Sequence, residues 1–256
     1  MSTIVIKIGG RAAENRESLG ALCDELLIIS REHRLVLVHG GGAEVTNVSR
    51  RFGIESRFLD GVRQTSPEEM DIVDMVLAGK VNSQLVRLLR VRGLDAVGLS
   101  GSDGGTFIGE SVAGRGARTR TGEVTHINVR LLIILLDAGY LPVLSSTSMD
   151  ADGNGLNINA DTAAFRLAAQ LEAGALVFLS DIPGVISDGS VIQALSEEEA
   201  KSLIDRGVIE GGMVPKVTAS FDAMDKGVKK VIIGQYESPG SLARLLEGKE
   251  GTRLWK

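Results

Sequence analysis

Two lysines far apart in the chain keep similar company. Lys7 lies in Val5-Ile6-Lys7-Ile8-Gly9-Gly10 and Lys216 in Gly211-Gly212-Met213-Val214-Pro215-Lys216-Val217, each beside glycine at the edge of an apolar segment. A cation that interrupts a strand-like run is costly to bury unless a permanent anion meets it, and phosphate is the anion that glycine-rich backbone also suits. The pair reads as a clamp for a migrating phosphoryl group. A second glycine turn, His39-Gly40-Gly41-Gly42, follows the run Leu35–Val38 and precedes a helical pattern, so it can aim backbone N–H groups and a helix N-terminus at an anion. One such turn can serve tight packing alone, whereas two, one of them carrying a lysine, favour phosphate. Neither spells GxxxxGK[ST] or GxGxxG, so the site has to be assembled from separated pieces.

Other polar groups stand where ligands bind. Arg63, in Gly61-Val62-Arg63, could hold a carboxylate with its guanidinium fork, though a loop arginine is more often solvated surface. Asn157-Ile158-Asn159-Ala160-Asp161 closes a polar loop and opens an apolar helix, which makes Asp161 a natural N-cap as well as a carboxylate able to orient lysines. Ser180 and Asp181 end a strand at the carboxyl edge of a sheet, where α/β proteins bind ligands. His33, His39 and His126 lack metal spacing, no protein-bound metal is expected, and no GxSxG elbow supports serine chemistry.

The elements that must hold these groups alternate. Strand-like runs at Thr3–Ile8, Leu35–Val38, Asp95–Leu99, Leu141–Leu144, Leu176–Leu179 and Lys230–Ile233 alternate with helical patterns, the rhythm of an α/β fold with a mainly parallel sheet between helices. Capping boxes mark helix starts at Ser66-Pro67-Glu68-Glu69 and at Ser196 with Glu199. Residues 101–123 lose their period and suggest a hairpin or flap ahead of a helix near Val129–Ala138, whose all-round apolar character fits deep burial or a subunit contact. A lobe boundary is signalled near Glu172–Gly174, without a flexible linker, so two lobes should share one sheet.

Composition narrows the class further. The 256 residues are 43% hydrophobic, enough for a substantial core. A net charge of −5 gives no reason to expect nucleic acid. The single cysteine, Cys23, falls in a helical apolar stripe and can form no internal disulfide. No apolar run approaches the ~20 residues of a membrane span and the first residues lead straight into a strand, so a cytoplasmic protein without membrane attachment is expected.

Taken in order, Lys7-Ile8-Gly9-Gly10, His39-Gly40-Gly41-Gly42, Gly61-Val62-Arg63, Gly98-Leu99-Ser100-Gly101-Ser102-Asp103-Gly104, Asn157-Ile158-Asn159-Ala160-Asp161, Leu179-Ser180-Asp181 and the Gly211–Lys216 block resemble the amino acid kinase family over essentially the whole chain. The resemblance implies a three-layer αβα fold and transfer of the ATP γ-phosphoryl group, with Mg2+ arriving on ATP, to the side-chain carboxylate of N-acetyl-L-glutamate. It implies that Lys7 and Lys216 neutralise the transferring group, that Asp161 orients them, and that Gly10 and Gly41 donate N–H groups. By the same resemblance Gly41, Gly42, Arg63 and Asn157 line the acceptor pocket in a lobe spanning residues 1–172. Lys7, Ser180, Asp181, Gly211, Gly212, Met213 and Lys216 serve the nucleotide, most of them in a lobe spanning 173–256.

The chain lacks the N-terminal helix of arginine-inhibited hexameric relatives, so small-molecule substrates and an arginine-insensitive homodimer are expected. Ser145-Ser146-Thr147-Ser148 departs from a Pro-Ile-Gly type turn and leaves one pocket wall open. Two rivals remain: a sister kinase whose aminoadipate substrate rides on an acidic carrier protein, for which Arg115, Arg118 and Arg120 would form a basic rim, and a non-catalytic sensor on the same fold.

Overall fold

The computed structural model describes residues 1–9, 16–59, 61–114, 116 and 118–256. Gly10 and Arg115 therefore lie outside the described residues. The chain separates into two compact units, residues 1–35 with 167–256 and residues 36–166. The first strand and helix thus belong with the last third of the chain.

The first unit holds β1 (Thr3–Ile8), α1 (Arg16–Ile29), β11 (Ala175–Ser180), a small hairpin β12 (Ile186–Ser187) and β13 (Ser190–Val191), β14 (Ala194–Ser196), α7 (Glu197–Asp205), α8 (Met213–Asp225), β15 (Val231–Gln235), α9 (Ser241–Leu246) and β16 (Thr252–Trp255). Its strands are ordered β14-β16-β15-β11-β1, parallel except where β16 runs against β15. Val5, Ile6, Val177 and Phe178 are fully buried, as strands covered on both faces require. Glu25 of α1 is buried because it caps α9, accepting from Leu242 N (3.0 Å), Ala243 N (3.3 Å) and the Tyr236 hydroxyl (2.7 Å). Burial, with Glu25 beside it, pushes the Tyr236 phenol well above its ordinary range.

The second unit takes most of β2 (Arg34–His39), then α2 (Gly42–Arg51), the hairpin β3 (Phe58–Leu59) and β4 (Val62–Arg63), α3 (Pro67–Asp74), a π-helical segment Met75–Val81, α4 (Asn82–Arg90), β5 (Ala96–Leu99), β6 (Phe107–Ser111), β7 (Thr121–Ile127), α5 (Arg130–Asp137), β8 (Leu141–Ser145), β9 (Thr147–Met149) and β10 (Gly155–Ile158). Helix α6 (Ala160–Gln170) begins in it and ends in the first unit. Strands β2, β8 and β5 are parallel neighbours, and β6-β7-β10-β9 form a smaller sheet. All six expected strand runs are strands, and the expected flap contains the antiparallel pair β6–β7.

The caps refine the reading of three helices. Ser196 and Glu199 form both halves of a capping box. Ser66 accepts from Glu69 N with Pro67 in the first turn, but the Glu69 side chain turns elsewhere, so that box is only half built. Asp161 is not the N-cap of α6: Asn159 is, its Oδ1 accepting from Asp161 N (2.9 Å) and Thr162 N (3.2 Å). Asp161 sits instead in the first turn, where the helix dipole favours a carboxylate. Helix α5 buries Leu132 and Leu136 while leaving Ile133 (44%) and Ile134 (55%) exposed.

Candidate active site

In the first unit, β1 and β11 pair in parallel with Lys7 opposite Phe178. Register partners share a face of the sheet, so Lys7 and Phe178 project the same way. The Lys216 ammonium lies 5.5 Å from the centre of that same ring. Helix α8 thus brings the second lysine of the motif to the face that carries the first, and the ring quadrupole contributes about 0.5–1 kcal/mol to holding it. Gly9 completes the corner: its N–H donates to Leu179 O (3.1 Å), and a Cβ there would collide with the Lys7 ammonium.

Ser180 ends β11 at the same carboxyl edge, its hydroxyl donating to Ile182 O (3.2 Å), and the exposed Asp181 follows it. Gly212 precedes α8, and neither it nor Gly211 would bring a Cβ within 4 Å of another group. Met213 opens that helix half-buried. Lys7, Ser180, Asp181, Gly211, Gly212, Met213 and Lys216 therefore all belong to the first unit.

The residues expected to line the acceptor pocket lie in the second unit. Gly41 precedes α2 with φ +154°, a backbone that favours glycine, and no side chain caps the helix. An added Cβ there would come 2.8 Å from Leu77 and 3.3 Å from Val81, both of the π-helical segment. Arg63 is 7% exposed, and its terminal nitrogens are engaged by the protein itself. Nη1 donates to Glu69 Oε1 (2.7 Å) and Ser56 Oγ (2.5 Å), and Nη2 donates to Gly42 O (2.8 Å) and Thr46 Oγ1 (2.6 Å). Glu69, 2% exposed, also accepts from Ser49 and Ser56, and Phe58 covers the guanidinium at 4.7 Å.

Asn157 on β10 joins the same assembly. Its amide donates to Thr65 Oγ1 (2.9 Å), Thr65 N donates to Thr121 Oγ1 (2.9 Å), and Thr121 in turn donates to Arg63 O (2.6 Å). Gly42, Arg63 and Asn157, distant in sequence, are thereby linked by continuous hydrogen bonds. Sequence reasoning missed Thr46, Ser56, Thr65, Glu69 and Thr121, since isolated hydroxyls carry no spacing signal. For Glu69 the only signal, its place three residues after Ser66, pointed to the wrong partner.

Two further expectations meet the geometry. Ser145, Ser146, Thr147 and Ser148 are buried, with Ser145 and Thr147 hydroxyls 3.0 Å apart and Ser148 donating to Phe107 O, so the hydroxyls of Ser145, Thr147 and Ser148 are satisfied within β8 and β9. In the flap Arg118 is exposed, whereas Arg120 faces Asp150 (3.7 Å) and Asn154 (3.5 Å), which neutralises part of the basic rim a carrier protein would need. Among the described residues no group of three or more His, Cys, Asp or Glu side chains is arranged for a metal, and no helix is long and apolar enough to cross a membrane.

Known proteins resemble the whole chain. An acetylglutamate kinase from a Synechococcus species is 42% identical over 258 residues, covering 98% of this chain and 82% of the relative. Another from Methanopyrus kandleri is 40% identical over 254 residues, covering 96% and 97%. The crystal structure of smu.665 from Streptococcus mutans superposes with a TM-score of 0.81 at 27% identity, covering 99% of this chain and 98% of that one. The model of the amino acid kinase family matches residues 2–235, nearly the whole sequence, and the chain belongs to the amino acid kinase family.

Proposed function

We infer that the chain is an ATP-dependent kinase of N-acetyl-L-glutamate, forming N-acetyl-L-glutamyl 5-phosphate and ADP in arginine biosynthesis. The observation that carries this reading is the convergence of Lys7 and Lys216 on Phe178, which gathers two cations at one carboxyl edge. Relatives with that activity at 40–42% identity support the choice of acceptor.

The chemistry follows from what the residues offer. The acceptor carboxylate is ionised at neutral pH, so no general base is needed. Its oxygen bonds to the γ-phosphorus as the bond to the β,γ-bridging oxygen breaks, and the electron pair leaves with ADP. Charge spreads over the transferring oxygens, where fixed cations and N–H donors lower the barrier. Lys7 and Lys216 supply the cations, Asp161 orients them, and the amides of Gly10 and Gly41 supply donors.

The nucleotide is held by Ser180, Asp181, Gly211, Gly212 and Met213, and the open space at Gly211 and Gly212 supports close approach of phosphates there. Mg2+ arrives on the ATP phosphates as part of that substrate. Gly41, Gly42, Arg63 and Asn157 line the pocket for the amino-acid acceptor, Arg63 as its frame, since its terminal N–H groups are already given to Glu69, Ser56, Gly42 and Thr46. The protein works in the cytoplasm as a homodimer, a state supported by the exposed Ile133 and Ile134.

The test is MgATP-dependent acyl phosphate formation, trapped as hydroxamate, with N-acetylglutamate, glutamate and aspartate offered separately. Product from N-acetylglutamate alone is expected. Product from none of them would overturn the reading, and sedimentation as a monomer or hexamer would overturn the dimer.

A further inference from the structure

The glycine turn before α2 is held from behind by two side chains that the kinase reading leaves unused. Asn82, the first residue of α4, is buried, and its Nδ2 lies 2.9 Å from Val143 O on β8 and 2.9 Å from His39 Nε2. A carbonyl oxygen only accepts, so the Asn82 atom facing Val143 is the amide nitrogen, and its other N–H is directed to His39. Nε2 of His39 must then accept, which leaves the ring proton on Nδ1. Nδ1 stands 2.9 Å from Gly40 O, again an acceptor-only atom. Acceptors at both ends of the chain therefore select one tautomer. Burial also depresses the His39 pKa to about 4, so the ring is neutral at physiological pH.

The carbonyl that His39 grips belongs to the same peptide plane as the N–H of Gly41, and in a trans peptide the two point in opposite directions. Pinning one fixes the aim of the other, and a hydrogen bond to the oxygen polarises the N–H. The π-helical segment acts on the same turn, since Leu77 and Val81 occupy the space beside Gly41 where a Cβ would go, and Asn82 follows directly. Such segments interrupt α-helices most often at functional sites.

We propose that Asn82 and His39 are positioning residues for phosphoryl transfer, holding the Gly40–Gly41 peptide through the Nδ1–H to Gly40 carbonyl bond so that Gly41 N–H is a fixed, strengthened donor to the transferring group. The proposal rests on the kinase reading above and assigns to that reaction two residues that touch neither substrate.

Two substitutions of one residue separate this role from simple packing. In His39→Asn the side-chain nitrogen falls where Nδ1 stands and can still donate to Gly40 O, while the Asn82 contact is lost. In His39→Gln the reverse holds: the Asn82 contact is kept and the Gly40 bond is lost. The expected result is a kcat for His39→Gln at least about tenfold below that of His39→Asn, with both KM values within about twofold of each other, as for a weakened transition-state donor. Nitrogen-15 spectra of the wild-type imidazole at pH 7 should show the proton on Nδ1, and in Asn82→Asp, where a carboxylate replaces the donor, the proton should move to Nε2.

Equal kcat for the two His39 variants, or a wild-type ring protonated on Nε2, would overturn the proposal while the enzyme still made acyl phosphate. A wild-type protein that makes none would overturn the kinase reading and this proposal with it.

Discussion

At Gly41 an added Cβ would press on Leu77 at 2.8 Å, whereas at Gly211 and Gly212 it would meet nothing within 4 Å. The first turn is glycine because the neighbouring helix already fills the space and the backbone takes a positive φ. The second is open. The cations near the two turns differ in the same sense: Arg63 gives both terminal nitrogens to Glu69, Ser56, Gly42 and Thr46, while the ammonium of Lys216 rests on the face of a ring. One region is a finished, internally neutralised frame suited to recognising a shape. In the other, Lys216 lies against Phe178 at a turn with room beside its backbone, which suits a group that moves.

The comparison is tested most severely at Lys216. Lys216→Ala should lower kcat by about 10²–10³-fold with little change in either KM, because its charge matters most as the phosphoryl group leaves. Unchanged turnover would remove the clamp from the open region. On the finished side, Glu69→Ala should destabilise the protein by about 3 kcal/mol in urea unfolding, since it strands a buried guanidinium. A loss below about 1 kcal/mol would mean that the frame does not depend on its ion pair.

The glycines test the contrast directly. Gly41→Ala should cost about 2 kcal/mol through overpacking and backbone strain. Gly212→Ala, at φ −65° in open space, should stay within about 0.5 kcal/mol of wild type and chiefly raise the KM for ATP. Similar stability losses at both positions would erase the distinction between the turns.

The smallest effect lies at Asp74, at the end of α3, where partial burial and then Asp71 raise the pKa from 3.8 to about 6. A carboxyl whose folded pKa lies above its unfolded value costs stability when ionised, and that cost fades as pH falls from about 6 to below 3.8. Asp74→Asn should therefore raise Tm by about 2 °C or less at pH 7.5, solvent screening part of the charge, and leave it unchanged at pH 3.5. A gain that persisted at pH 3.5 would point away from charge.

How far the sequence could be read follows the same division. The strands and glycine turns were legible because each is a local pattern of apolar runs and breakers, and the lysine pair stood out as charge at the edge of apolar segments. The frame around Arg63 was not, because its members come from α2, β4, α3, β7 and β10 and only the tertiary fold brings them together. Glu69 shows the limit best: its spacing from Ser66 satisfies a local rule, yet the buried guanidinium is the stronger partner, and the tertiary contact wins. Asp161 failed in the opposite way, displaced from the cap by Asn159, whose side chain reaches the first free amides two and three residues on. His39 was legible only as the neighbour of three glycines.

The π-helical segment between α3 and α4 has a consequence for how this region can change in length. With i→i+5 bonding the segment holds about one residue more than an α-helix of the same span, so a residue removed from Met75–Val81 would let the helix wind regularly while the later side chains kept nearly their present direction. A residue removed between Asn82 and Leu85, where the helix is already regular, would instead turn Leu85 and Leu89 by about 100° and carry them out of the core. The stretch behind the glycine turn can thus absorb a single-codon deletion that α4 cannot, and what it would lose is the packing of Leu77 and Val81 beside Gly41.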